Sequence, residues 1–488
     1  MTKRYPADVN VVDGNGKDGN TGNGRDHEEP GAIVDAAVFA VEGDDFEAGQ
    51  MAALAADFLT AGEGAGTIYQ ARLQEFLWSA LPRKTPPEDW LPLVDGTARL
   101  LDKLGLARYA EIARSEATRS VLEAWAAGDA QGFERFVEEH HRSGIAPPDT
   151  EAIEWGEVMG MEEARAFETV SVALEAGIIE GEYRPGAPGW RAKAAEITRR
   201  TLEEQARPVR PTDLRRYRRL DLVLGSRVED WVVSARDLRH RQLREAVAGR
   251  LLDGPAAVAP VPPPAGELDA ALRPLIWLLE TCRDGVRATA AGYLEPAVVR
   301  AAAAQLGWWP FDDQPRSEVD VFKLVLLHEM ATRNRWLLRR SKRITTTKPA
   351  LRLLQDPVRL WSAVVGTVGQ ADDYFAMLSE LIATRLLDGP AEHIGLYGPS
   401  DLALFVSEVV LGQGWQSGRT PLTEQDVARD IHQPLGEWRL FGFLDDPPLA
   451  REALMVNDPV AKLSTVGRQA ALALLFARAT ATRRAFFD

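Results

Sequence analysis

Apolar residues recur at helical spacing from about residue 32 onward, and proline or glycine interrupts the pattern at short intervals. Prolines and glycines of this kind punctuate helices, and no long stretch alternates apolar and polar residues with a period of two. An extended sheet is therefore excluded, and the sequence predicts a mainly α protein with a helical domain at residues 32–205. One such apolar helical face is formed by Phe46, Met51, Leu54, Ala55 and Phe58.

Length and composition limit the class of protein. The chain has 488 residues, enough for roughly three folded units at ~100–200 residues each. No run reaches the ~18–20 apolar residues that span a bilayer, so we expect no membrane contact. Cys282 is the single cysteine and cannot form an internal disulfide. Together these features predict a cytoplasmic protein.

Charge is distributed unevenly along the chain. The net charge is −15, which argues against a general binder of polyanions because its mean field repels phosphate. Residues 191–250, however, hold sixteen Lys and Arg against nine Asp and Glu. We interpret residues 206–264 as a basic helical segment that ends in a proline-rich linker at 256–264. Residues 1–31, rich in Gly, Asn and charge, are expected to form a disordered tail.

The C-terminal half contains an internal repeat. The heptapeptide Arg-Leu-Leu-Asp-Gly-Pro-Ala occurs at residues 250–256 and again at 385–391. A similar second signature follows each copy, beginning at Ile344 and at Leu463. The paired order favours a duplicated module, which we place at residues 265–368 and 369–488.

The pattern within each module predicts the ending of a winged helix: helix, strand, basic turn, strand, helix. A plain helical bundle with an irregular loop is the alternative. In the first copy the predicted elements are a helix at 319–331, strands at 336–338 and 343–346 around a turn at 339–342, and a helix opened by Pro349. In the second copy they are a helix at 425–431, strands at 438–444 and 462–465, and a last helix to Arg478.

Five stretches of the chain carry a resemblance to known proteins: Trp78-Ser79-Ala80-Leu81-Pro82-Arg83-Lys84, Gly105-Leu106-Ala107-Arg108-Tyr109-Ala110, Ser143-Gly144-Ile145-Ala146-Pro147-Pro148-Asp149-Thr150, Glu154-Trp155-Gly156 and Asp356-Pro357-Val358-Arg359-Leu360-Trp361. In these stretches the chain resembles a family of uncharacterised actinobacterial proteins of unknown function. The resemblance implies no catalytic or binding residue, because no activity is established for that family. The modules also look like winged helices in general, a class that includes DNA readers and protein-docking scaffolds.

Motifs that carry catalysis, metal binding or cofactor binding are not recognisable in the sequence. His328-Glu329 begins like a zinc-protease motif, but Thr332 stands where the second histidine is needed. His140 and His141 are adjacent, so they point in different directions on a helix. Cys282 lies in an apolar stripe and is interpreted as core. We therefore predict no catalytic residues, no metal site and no cofactor.

Two basic patches are the candidate nucleic-acid contacts. Winged helices place the helix before the wing in the major groove and lay basic wing residues on the backbone. In the competing interpretation, the arginines of the first patch pair with acidic residues of the N-terminal domain. The candidate residues are Arg215, Arg216, Arg218 and Arg219 in the first patch, and Arg335, Arg339, Arg340, Lys342 and Arg343 in the second.

Three functions are consistent with these observations. The first is a non-enzymatic cytoplasmic interaction or scaffold protein built on tandem winged-helix-like modules, with a protein partner that the sequence does not identify. The second is a DNA-binding regulator that uses the two basic patches. The third is an enzyme whose site is not visible as a sequence motif.

Overall fold

The computed structural model describes residues 31–210, 213–370, 372–392, 400–417, 419–445 and 460–482. It confirms a mainly helical chain with few, short strands. None of the helices in these ranges combines the length and the apolar character that crossing a bilayer requires. The predicted tail at 1–31 lies outside the described residues, apart from residue 31.

Two compact units divide the chain, and the division falls after Val223, inside a helix. The segment predicted as 206–264 is thus shared between the units. The helices of the first unit are α1 (Ala32–Asp44), α2 (Phe46–Thr60), α3 (Gln70–Glu75), α4 (Leu81–Lys84), α5 (Trp90–Lys103), α6 (Ala107–Ala113), α7 (Glu116–Ala127), α8 (Asp129–Arg142), α9 (Met161–Ile179) and α10 (Trp190–Glu203). Strands β1 (Gln205–Ala206) and β2 (Tyr217–Arg218) pair before α11 (Arg219–Ser234), the helix that contains the division.

Buried tryptophans organise the core of the first unit. Trp78 lies in a π-helical turn, Phe76–Ala80, between α3 and α4. Its indole N–H donates to Thr118 Oγ1 at 2.8 Å, and its carbonyl accepts from Trp125 Nε1 at 2.9 Å. Each buried indole thus has the partner that burial of its N–H requires. Residues 180–189, between α9 and α10, form turns and bends without a strand.

The second unit is also helical. Its helices are α12 (Leu238–Leu251), α13 (Ala265–Thr281), α14 (Pro296–Leu306), α15 (Phe322–Arg333), α16 (Lys348–Leu353), α17 (Pro357–Val365), α18 (Asp373–Asp388), α19 (Asp401–Gly412), α20 (Glu424–Asp430), α21 (His432–Leu440) and α22 (Thr465–Ala479). Its strands are β3 (Leu252–Asp253), β4 (Ala256–Ala257), β5 (Val286–Arg287), β6 (Leu337–Arg340), β7 (Arg343–Thr346), β8 (Ala391–Glu392), β9 (Gln416–Ser417), β10 (Thr420–Pro421) and β11 (Val460–Ala461).

Strand β5 follows α13, and strands β6 and β7 follow α15; the three form an antiparallel sheet in the order β5-β7-β6. The return strand β7 lies in the middle, with Val286 opposite Ile344 on one side and Leu337 opposite Thr346 on the other. The same strand order recurs after α18. There β8 pairs with β11, and the isolated bridge between Leu444 and Leu463 lies on the other side.

The turns that enter the two sheets have the same backbone geometry. Arg335 follows α15 with φ 56°, and Gly442 follows α21 with φ 65°, so both residues are left-handed. The next residue in each case bonds back to the helix, Trp336 N to Ala331 O at 2.8 Å and Phe443 N to Trp438 O at 3.0 Å. This is the six-residue bond of a Schellman ending.

The helices that leave the two sheets are also capped alike. Thr347 caps α16 and donates from Oγ1 to Arg335 O at 2.9 Å. Ser464 caps α22 and donates from Oγ to Gly442 O at 2.7 Å. One hydroxyl in each copy therefore satisfies a helix N-terminus and a carbonyl of the entering turn.

Several predicted elements differ in the structure. Residues 438–444, predicted as a strand, are helical through Leu440 because α21 continues past Trp438, and Leu444 alone forms a bridge. Arg339 and Arg340, predicted in the turn, belong to β6, so the turn is Ser341 and Lys342. The two heptapeptides occupy different surroundings: residues 250–256 pass from α12 into the β3–β4 hairpin, whereas 385–388 are still helical.

Candidate interaction surfaces

The β6–β7 hairpin carries a concentration of positive charge. Residues 330–355 contain eight Lys and Arg and no Asp or Glu. Arg340 and Arg343 are directly opposite each other across the hairpin, an arrangement in which like charges repel and destabilise the strand pair. We call Arg339, Arg340, Lys342 and Arg343 the basic hairpin; all four are exposed.

Most of the basic hairpin is available to a partner. Arg343 donates to the carbonyls of Asp284 and Gly285, at 2.9 and 2.7 Å, so it also holds β7 against the loop after α13. Arg339, Arg340 and Lys342 form no ion pair with any residue that the structure describes. Arg335, at the entering turn, is exposed too. The five residues predicted for the second patch therefore lie on or beside one hairpin.

Helix α15, which precedes the basic hairpin, is partly covered by α21. Gly436 of α21 lies so close that an added Cβ would be 3.1 Å from Leu326 Cδ1 and 3.9 Å from Phe322 Cε1. Arg333 at the end of α15 pairs with Glu437 at 3.1 Å. Glu437 is 2% exposed and also accepts from Gly369 N at 2.5 Å. Helix α15, which precedes the basic hairpin, is therefore packed against α21, which occupies the corresponding place in the second module.

The outward face of α15 is not basic. Phe322 is 65% exposed, and Glu329 and Thr332 are exposed as well. A helix that enters the major groove usually presents groups that bond to bases or phosphates. An exposed phenylalanine and a carboxylate are better suited to a protein surface than to the phosphate backbone.

The first basic patch is largely neutralised within its own unit. Arg218 donates to both oxygens of Asp221 at 2.8 Å and pairs with Glu203 at 3.1 Å. Arg219 pairs with Glu204 at 2.8 Å and donates to Thr201 O at 3.1 Å.

The remaining two arginines of that patch are exposed. Arg215 pairs with Asp213 and lies over the ring of Tyr217, 5.3 Å from its centroid. Arg216 is exposed. Glu203 at the end of α10 and Glu204 after it are acidic partners of the kind that the competing interpretation requires. The two basic patches belong to different compact units.

A buried ionic cluster links four helices of the second unit around Glu380. Its carboxylate, 2% exposed, accepts from Trp231 Nε1 at 3.1 Å and Arg244 Nε at 2.9 Å. Arg478 Nε lies 3.3 Å and His240 Nε2 lies 3.4 Å from the same carboxylate. Burial alone would raise the pKa of Glu380, but the neighbouring His240, Arg244 and Arg478 outweigh it and lower the pKa to about 2.

This cluster has a structural role. Arg244 stacks 4.6 Å from the centroid of the Trp231 ring and also donates to Ser234 Oγ at 2.9 Å. Its guanidinium is thus bonded to groups of α11 and α18. The cluster holds α11 and α12 against α18 and α22.

Titratable groups elsewhere do not assemble a reactive site among the described residues. Cys282 is buried, and burial raises the pKa of its thiol to about 12, which keeps it protonated and unreactive. His328 Nδ1 lies 2.8 Å from Glu318 Oε1, whose second oxygen accepts from Leu294 N at 2.5 Å. No group of three or more metal-ligating side chains occurs in the ranges that the structure describes.

Sequence reasoning did not single out Glu380, Gly436 or Glu437. Glu380 stands in the apolar run from Ala376 to Leu387, where a lone carboxylate signals a buried partner. The sequence therefore indicates that Glu380 has a buried partner, but it does not identify that partner. Arg244 and Arg478 are both more than 90 residues away from Glu380 in the sequence. Gly436 and Glu437 carry no comparable signal, because their role depends on which helix packs against α21.

A comparison of the chain with protein-family models found no match, and neither the curated proteins nor the solved structures contain a match to it.

Proposed function

We propose that this chain is a non-enzymatic cytoplasmic scaffold protein whose two winged-helix-like modules, at 265–368 and 369–488, bind a protein partner. The strand orders described above support the modules. In each copy the short strand after the first helix pairs with the last strand, and the helix before the hairpin ends in a left-handed residue. Connections of this kind support the proposal of winged-helix-like modules.

The packing of α15 against α21 is the observation that carries the scaffold proposal. A DNA-reading winged helix inserts the helix before its wing into the major groove. Here the corresponding helix, α15, is in close contact with Gly436 of α21, and Arg333 of α15 forms an ion pair with Glu437 of α21. What it leaves exposed includes Phe322 and Glu329, and an aromatic residue beside charged ones is typical of a protein interface.

Site-specific photo-crosslinking in cells tests this proposal. A photoreactive amino acid at Phe322 is expected to give one discrete protein adduct. The matched control places it at Arg359 on α17, which is 75% exposed but lies outside α15 and the hairpin. Adducts of equal pattern and yield at both positions, or an adduct with DNA alone at Phe322, would contradict the scaffold proposal.

A second candidate function, DNA contact through the basic hairpin, rests on the repulsive pair Arg340 and Arg343. Charges held opposite each other against their mutual repulsion favour a polyanion as ligand. The hairpin could then bind backbone phosphate even though α15 does not read bases.

Fluorescence anisotropy with a random-sequence duplex at ~50 and ~200 mM salt distinguishes this candidate. If the hairpin contacts phosphates, R339A/R340A/K342A weakens binding and lowers the slope of log affinity against log salt by up to about three, at ~0.9 per phosphate. The control R283A/R300A/R359A removes the same charge from other exposed positions and should change neither. Equal losses in both triple variants would remove the hairpin from the DNA account.

A further inference from the structure

A small cavity in the first unit is lined by three arginines. It lies between the first turns of α9, the residues after β1 and the start of α11, and its volume is about 90 Å³. At ~30 Å³ for a water molecule, this is the room of about three waters, enough for one tetrahedral oxyanion. The lining residues with charged or hydroxyl side chains are Glu162, Arg165, Thr169, Arg207 and Arg219.

The charges around this cavity do not cancel. Glu162 is its only acidic lining residue, and the Glu162 carboxylate accepts from Val209 N at 2.6 Å, so it is already committed to the backbone of the segment after β1. Three guanidinium groups against one carboxylate give the lining itself a charge of +2. Glu204, which pairs with Arg219 from outside the lining, reduces the local balance to +1.

Two of the three arginines are not used elsewhere. Arg219 pairs with Glu204 and with Thr201 O, which fixes its position. Arg165 and Arg207 form no ion pair with the described residues. Arg165 has Glu162 and Glu168 one turn away on either side, yet Glu162 accepts from Val209 and Glu168 from Tyr69. Clustered guanidinium groups are a usual means by which proteins hold phosphate.

We propose that this cavity binds the phosphate group of a phosphate monoester or of inorganic phosphate. A monoester near neutral pH carries a charge of about −1.5 to −2, opposite in sign to the excess of arginine in the lining. A phosphodiester carries a single charge and has substituents on both sides. The small volume therefore favours the terminal group over a nucleic-acid backbone.

Isothermal titration calorimetry of the full chain with inorganic phosphate and methyl phosphate, at constant ionic strength, tests the site. We expect saturable one-to-one binding, weakened at least tenfold in R165A/R207A. R165K/R207K keeps the charge but loses the planar guanidinium groups. Its affinity for phosphate should therefore fall between that of the original chain and that of R165A/R207A. The matched control R184A/R199A removes two exposed arginines from other parts of the same unit and should bind like the original chain.

Dimethyl phosphate is the diester probe, and it should bind at least tenfold more weakly than methyl phosphate. Diester binding as tight as monoester binding would overturn the assignment. An equal loss in R165A/R207A and R184A/R199A would overturn it as well, since binding would then follow overall charge. Circular dichroism of each variant checks that the helices are intact, and phosphate should raise the melting temperature of the original chain but not of R165A/R207A.

Discussion

Single buried charges determine how helices meet in the second unit. Glu380 accepts hydrogen bonds from α11 and α12 and lies beside Arg478 of α22. Charged groups in an apolar interior are costly unless they are paired and hydrogen-bonded. A lone Glu within an apolar helix could therefore have been predicted to be paired. Its partners could not, since Trp231, Arg244 and Arg478 meet it only after the chain has folded.

Replacing Glu380 by Gln should strongly destabilise the second unit. The amide keeps the shape but leaves Arg244 buried without a counter-charge, and breaking a buried pair from one side costs roughly 3–5 kcal/mol. Urea unfolding followed by tryptophan fluorescence measures the loss. Glu245→Gln, an exposed change on α12, is the control and should alter the free energy of unfolding by less than about 0.5 kcal/mol. A similar small change for Glu380→Gln would contradict the structural role of the cluster.

His140 makes the stability of the first unit depend on pH. Burial, together with the charge of neighbouring His141, lowers the pKa of His140 from 6.5 to about 4. Between these pH values the unfolded chain takes up a proton that the folded chain refuses, so stability is full above pH 6.5 and falls as the pH drops toward 4. The contribution that is lost approaches about 3 kcal/mol, at ~1.4 kcal/mol per pH unit.

Urea unfolding at a series of pH values checks this dependence. His140→Gln, which can still bond to Gln74 Oε1, should show a shallower loss of stability between pH 6.5 and 4. The control His141→Gln, at an exposed position of the same helix, should nearly retain the original slope. Identical slopes for the His140 variant and the original chain would show that His140 does not account for the dependence.

At the scale of elements, the return strand of the first module was more predictable than the elements of the second module. The β-branched residues of Arg343–Thr346 predict a strand, and β7 has these bounds. Trp438–Leu444 has the aromatic and apolar composition of a strand, but the packing of α21 against α15 keeps it helical through Leu440. Tertiary contact overrode local propensity there.

The two left-handed turns predict opposite effects of substitution. Gly442→Ala should cost about 1 kcal/mol of stability, because its Cβ meets no atom within 4 Å and the cost is the left-handed backbone itself. Arg335→Gly should gain stability by up to about 1 kcal/mol, since it relieves the same strain at φ 56°. Thermal unfolding of both variants measures the two signs.

Arg335→Ala provides the control for this pair, because it removes the charge and keeps the Cβ. It should not gain stability. Destabilisation by Arg335→Gly equal to that by Gly442→Ala would contradict the equivalence of the two turns.

At the scale of the whole molecule, net charge and local charge point in different directions. The chain totals −15, yet residues 330–355 contain eight cations and no acidic residue. The sequence predicted both basic patches, and the structure distinguishes them: the first is paired within its unit, while the basic hairpin stays largely unpaired among the described residues. Pairing of this kind depends on which helices are neighbours, which periodicity alone does not specify.

Selection from a library of random duplexes, followed by sequencing, tests the central claim most directly. Because α15 is packed against α21, we expect no enriched sequence motif. Any binding of the chain to DNA should be equally strong for unrelated duplexes and should be largely lost between ~50 and ~200 mM salt. An enriched motif that still binds at ~200 mM salt, and that loses binding when Phe322 and Glu329 are replaced by Ala, would contradict the scaffold account and show that α15 reads DNA.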